Sequence, residues 1–74
     1  MEKEKLISVL EKFGLSLNES KVYLACLELG LSRVIEISNK AEIIRETTYG
    51  VLNSLIKQGI ISQIIKSNIR YFEA

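Results

Sequence analysis

The chain of 74 residues predicts a mainly α domain closed by a small β-hairpin, an α+β architecture, and three features of its patterning carry that reading. Apolar residues recur at spacings of three and four through most of residues 2–58, as on amphipathic helices. Those segments are punctuated by Gly14, by the run Ser16-Leu17-Asn18-Glu19 and by Gly30, which end and start helices. Past Gly59 the pattern changes to β-branched and aromatic residues on either side of a polar turn.

Composition narrows the possibilities. A single domain of this size buries only about 60% of the surface its unfolded chain exposes, so its stability is marginal. Eleven isoleucines against two phenylalanines and no tryptophan predict an aliphatic core. Cys26 has no second cysteine to pair with, and without any histidine it has neither an activating base nor fellow metal ligands. It is expected to be a small buried hydrophobe. A glycine-rich phosphate loop is also missing from the sequence, so neither an enzyme nor a cofactor is expected. The lone cysteine suits a reducing cytoplasm. The apolar runs fall far short of the ~20 residues that cross a bilayer. The opening Met-Glu-Lys-Glu-Lys is too charged in both signs for a signal peptide. A soluble cytoplasmic protein with a natural start at Met1 and no membrane partner is expected.

The first helix is predicted over about 2–13, apolar at Leu6, Ile7, Val9, Leu10 and Phe13 and stopped by Gly14. Its apolar stripe is wide for a tiny domain, so it is either deeply packed or in contact with a second chain. Ser16 and Glu19 form a capping box for a second helix over about 17–29. That helix is apolar around much of its circumference and is expected to be central. Leu31 to Arg33 is a connector that can hold a strand of two or three residues. A short third helix over 34–41 turns Val34, Ile37 and Ala41 inward, and a tight connection plugged by Ile43 leads to a fourth over about 45–58. Two short helices so joined form a helix-turn-helix. Ile60–Ile65 and Ile69–Phe72 then pair as a hairpin, within about 60–73, across a loop of three or slightly more residues that includes Lys66, Ser67 and Asn68. Helices followed by such a hairpin describe a winged helix-turn-helix.

The fourth helix organises the rest. Val51, Leu52, Leu55 and Ile56 share one side, while Glu46, Thr47, Gly50, Asn53, Ser54 and Lys57 make up the other. A side made of hydroxyls, an amide and a glycine suits close approach and hydrogen-bond donation. The net charge of +1 excludes a polycation that coats nucleic acid by charge alone. The charge is nevertheless tilted: residues 1–43 hold six Lys/Arg against seven Glu, and residues 44–74 hold four against two.

Three segments, 14–24 with the pattern GLS-x-x-E-x-K-x-Y-L, 44–55 with I-R-x-x-x-Y-x-V-L-x-S-L, and 57–61 with K-x-G-I-I, together with Arg70-Tyr71, resemble the N-terminal DNA-binding domain of the TrmB family of transcriptional regulators, best known from archaea. The resemblance covers nearly the whole chain. It implies a double-stranded DNA-binding domain, commonly homodimeric, which longer relatives follow with a sugar-sensing domain. No such module lies in these 74 residues, so no small-molecule site is expected. Four positions depart from the family pattern. Glu42 stands where glycine is usual in the turn, Ile44 where proline is frequent, Glu46 where a small hydroxyl usually sits near phosphate, and Ile35 where a polar residue is usual. A left-handed Glu42 costs roughly 1 kcal/mol, and the Glu46 carboxylate repels a phosphate brought to the helix start.

With the fourth helix in the major groove, its first turns hold the base-reading positions. Arg45 can pair with guanine or clamp a phosphate, Thr47 can reach a base edge or phosphate, Tyr49 offers a ring and a hydroxyl, Gly50 permits close approach, and Asn53 can pair with adenine. Tyr49 can equally pack under the wing, and Asn53 can simply be solvated. Lys57 lies near the helix exit. Lys66, Ser67 and Asn68 at the wing tip, with Arg70, are candidates for phosphate or the minor groove, and Arg33 and Lys40 for flanking backbone. A homodimer through the first two helices places two recognition helices roughly 34 Å apart. The alternative is a protein-interaction module without DNA binding, to which near-neutral charge, Glu46, an exposed Ile35 and the isoleucine-rich hairpin are suited. Convergence of the basic residues on one face favours DNA, and an apolar patch there favours the module.

Overall fold

Residues 2–74 are described by a computed structural model. Four helices, α1 (Glu2–Lys12), α2 (Leu17–Leu29), α3 (Val34–Ala41) and α4 (Arg45–Lys57), precede an antiparallel hairpin of β1 (Ser62–Lys66) and β2 (Ile69–Glu73).

α2 starts on the capping box read from the sequence: Glu19 N–H donates to Ser16 Oγ at 3.1 Å, and Ser16 N–H to Glu19 Oε1 at 2.8 Å. Two orphan amides of the helix start are thereby satisfied. α2 is central as expected, packing against α1, α3, α4 and β2. Val22, Ala25 and Cys26 enter the core, while Leu27 and Leu29 face outward. Burial raises the Cys26 thiol to a pKa of about 11, which leaves it an inert hydrophobe.

The helix-turn-helix connection is fixed at both ends. Glu42 ends α3 in the left-handed region, at φ 59 and ψ 42, and its N–H bonds to the Asn39 carbonyl. The Ser38 hydroxyl donates to the Ile43 carbonyl at 2.7 Å and the Thr48 hydroxyl to the Ile44 carbonyl at 3.0 Å, so two buried side chains hold the turn that aims α4. Past the C-terminus of α4, Gly59 takes φ 75, and the Ile60 N–H returns to the Leu55 carbonyl. A side chain at that φ would be strained.

The first strand and the loop differ from expectation. β1 begins at Ser62, because Ile61 is drawn into the core, where it is 3% exposed. The loop has two residues: Lys66 pairs with Ile69, and Ser67 and Asn68 both have positive φ (50 and 65). That is the conformation of a type I′ turn, whose twist matches that of the strands it joins. The connector before α3 contributes one bridge, Ser32 to Phe72, with mutual backbone bonds of 3.0 and 2.8 Å.

The core contains Val22, Ile37, Leu52, Leu55 and Phe72, all fully buried. Its largest side chain is therefore aromatic, and Ile35, Ile44, Ile64, Ile65 and Ile69 are exposed rather than interior. Of the two possibilities for α1, deep packing does not occur: the helix has no buried residue, and Leu6 is 51%, Val9 46% and the adjoining Phe13 83% exposed.

Candidate nucleic-acid interface

At 100° per residue, the buried Thr48, Leu52 and Leu55 fix which way α4 turns its other residues. Glu46, Gly50, Asn53 and Lys57 follow the outward ridge and are all exposed. Arg45 and Tyr49 lie on the flank toward the wing, and Thr47 and Ser54 on the flank toward the start of α2. The two flanks differ in charge.

On the wing side, a cleft of about 280 Å³ opens between the starts of α3 and α4 and the hairpin. Arg33, Arg45, Tyr49, Asn68 and Arg70 line it, together with the apolar Ile35 and Ile69. Three guanidinium groups thus border one hollow. Arg33 is the residue before α3, where Glu36 reaches back to its N–H at 2.9 Å and to its Nε at 3.8 Å. Arg45 opens α4 and makes no side-chain bond among the described residues. Arg70 is partly buried and heavily engaged. Its Nε and Nη2 donate to Gln63 Oε1 at 3.0 and 2.7 Å, and Nη2 also reaches Asn53 Oδ1 at 3.4 Å. Its guanidinium carbon lies 5.0 Å from the Phe72 ring centre and 5.9 Å from that of Tyr49, within cation–π range. Arg70 therefore ties the wing to α4 instead of extending freely from the tip.

On the α2 side, Thr47, Gly50 and Ser54 face Ser16 and Glu19 across a shallow hollow. Ser54 belongs to this contact and not to the free polar surface, since its hydroxyl donates to Glu19 Oε2 at 2.9 Å and Gln58 Nε2 donates to the same oxygen at 2.9 Å. The Ser16 backbone N–H, then the Ser54 hydroxyl, hold the Glu19 carboxyl below its ordinary pKa, so this flank carries a fixed negative charge at neutral pH. The wing flank is cationic and the α2 flank anionic.

The remaining candidates are spread out. Lys66 and Ser67 are exposed at the hairpin tip, Lys57 is exposed in the last turn of α4, and Lys40 in that of α3. Gly50 has nothing within 4 Å of the position a Cβ would take, so packing does not require a glycine there. Tyr49 is partly buried against the cleft and has Arg70 over its ring. Gln63 and Glu19 did not stand out in the sequence as parts of this surface. Gln63 would have emerged from the correct two-residue register, which sets it diagonally from Arg70 on one face of the hairpin.

Residues 10–74 match the family model described as sugar-specific transcriptional regulator TrmB. The HTH-type sugar sensing transcriptional regulator TrmBL1 of Pyrococcus furiosus is 36% identical over 61 residues, covering 82% of this chain and 18% of the relative. Among solved structures, TrmBL2, titled an archaeal chromatin protein with a novel mode of DNA binding, matches with a TM-score of 0.85 at 29% identity, over 96% of this chain and 28% of its own. The chain thus spans less than a third of the length of either protein.

Proposed function

The chain belongs to the TrmB family of transcriptional regulators, and from that membership we propose that it is a double-stranded DNA-binding module, not an enzyme, with α4 in the major groove and the wing tip on the backbone or minor groove. The observation that carries this reading is the meeting of Arg33, Arg45 and Arg70 around one cleft beside the exposed ridge of α4. Clustered guanidinium groups recognise phosphate oxygens, and a ridge left open at Gly50 lets the helix sit close to base edges. Lys66, Ser67 and Asn68 at the tip extend the cationic flank, and Lys57 and Lys40 add charge at two helix ends. Arg45, Thr47, Tyr49, Gly50 and Asn53 hold the positions nearest the bases. In this reading DNA backbone runs along the wing flank, since the Glu19 carboxylate repels it from the other.

One module offers few phosphate contacts, so binding by a monomer is weak and salt-dependent. We propose a homodimer through α1 and α2, supported by the exposed Leu6 and Val9 of α1, the adjoining Phe13, and Leu27 of α2, and a cytoplasmic location, supported by the lone free cysteine. The test is fluorescence anisotropy on random duplex DNA across a salt series, with Arg45→Ala and Lys66→Ala as variants. Micromolar binding that weakens steeply with salt is expected, with the slope reduced by about 1 for each variant that loses a phosphate contact. Absence of binding at low salt would overturn the reading and favour a protein-interaction module, for which the exposed Ile35 and Ile69 lining the cleft supply apolar surface.

A further inference from the structure

The Gln63–Arg70–Asn53 chain of hydrogen bonds bears on which base the recognition helix selects, an inference that rests on the DNA-binding reading above. Arginine has only donors, so the Asn53 atom it meets must be the carbonyl oxygen, and the amide nitrogen is left pointing away with two N–H groups. Arg70 is itself held in place by two bonds to Gln63 and by the Phe72 ring beneath it. Asn53 stands on the outward ridge of α4, where its exposed side chain faces what the helix approaches.

An asparagine with both groups free reads adenine, accepting from N6 and donating to N7. With its oxygen turned toward Arg70 on the wing, the amide presents its N–H groups, and not its acceptor, to what α4 approaches. Guanine offers two acceptors, O6 and N7, to such a group, whereas adenine opposes it with the N6 amino group. We propose that Arg70 is a specificity-positioning residue that turns Asn53 from an adenine reader into a guanine reader.

The experiment is selection of bound duplexes from a randomised library by the wild type, Asn53→Ala, Asn53→Asp and Arg70→Met, with circular dichroism to check folding. The wild type should prefer guanine over adenine at one base pair by roughly tenfold or more, the discrimination of a bidentate contact. Asn53→Ala should abolish that preference and no other. Arg70→Met frees the carbonyl and should move the preference to adenine. Should Arg70→Met fail to fold, Asn53→Asp decides: its carboxylate keeps the bond to Arg70 and only accepts, so the preference should move to cytosine through N4. Adenine selected by the wild type at the pair that depends on residue 53, guanine retained by Asn53→Asp, or a consensus indifferent to residue 53 would each overturn this inference while leaving DNA binding intact. No bound duplex from any library would overturn the DNA-binding reading and this inference together.

Discussion

The Ser54 hydroxyl donates to Glu19 Oε2 at 2.9 Å, across 35 residues of sequence, so the carboxylate that caps α2 also anchors the C-terminal part of α4. Glu19 Oε1 serves the capping box, and Oε2 accepts from Ser54 of α4 and from Gln58 just past its end. One ionised side chain therefore sets both the start of one helix and its spacing from another.

The pH dependence follows from that double use. The folded-state pKa of Glu19 lies below its ordinary value of 4.5, chiefly through the Ser16 backbone N–H and then the Ser54 hydroxyl. Its contribution is complete above the unfolded value and is lost as pH falls through the folded one. Glu19→Gln is expected to lower stability at pH 7 by about 1 kcal/mol, the net worth of a charge-assisted bond on a partly exposed group. It should also flatten the acid side of the stability profile below about pH 4.5, as urea denaturation at a series of pH values would record.

Gly50 separates folding from binding. Its Cβ would meet open space within a regular helix, so Gly50→Ala is expected to stabilise the fold by about 0.8–1 kcal/mol. The added methyl stands on the ridge proposed to face DNA. A higher melting temperature with weaker duplex binding is expected, from thermal melts and anisotropy on the same sample.

Glu46 lies on the same ridge in the first turn of α4. Glu46→Gln should tighten binding to random duplex several-fold at low salt, with a steeper salt dependence, because it removes a carboxylate facing phosphate. The accompanying loss of a favourable helix-dipole charge costs about 0.3–1 kcal/mol of stability, readable in a melt.

Glu42 holds a left-handed conformation at φ 59 and ψ 42. Glu42→Gly is expected to stabilise the turn by up to about 1 kcal/mol, the relief of Cβ strain being partly cancelled by the freedom glycine gives the unfolded chain. Urea midpoints with an unchanged slope would check it.

The two phenylalanines give opposite outcomes. Phe72→Ala removes the largest buried side chain, at a cost of about 3–5 kcal/mol, comparable to the whole stability of a small domain. Phe13 is 83% exposed, so Phe13→Ser should leave the monomer's melt nearly unchanged while shifting a dimer toward an 8.4 kDa species in sedimentation. A wild type that is already monomeric at high micromolar concentration would remove the proposed interface.

The order of elements and the approximate bounds of the helices were legible in the sequence because they rest on local chemistry. The Ser16–Glu19 box, the inward trio Val34, Ile37 and Ala41, and the Leu52/Leu55 stripe each act within a turn or two of the residue that announces them. The candidate surface was legible only as a set of residues. The sequence offered Arg70, Asn53 and Ser54 as groups free to meet a ligand, whereas Arg70 and Asn53 bond to each other and Ser54 faces Glu19.

By itself, then, the sequence determined four helices, the last with a polar ridge, and a hairpin, since periodicity and capping depend on neighbours along the chain. Only the tertiary structure decided that the hairpin turns on two residues, that Phe72 and not the isoleucines fills the centre, that α1 leaves its apolar side uncovered, and that cationic and anionic flanks border α4. The physical reason is distance. Arg70 and Asn53 are 17 residues apart and Glu19 and Ser54 are 35 apart, so their bonds depend on how whole elements pack, which no local pattern encodes.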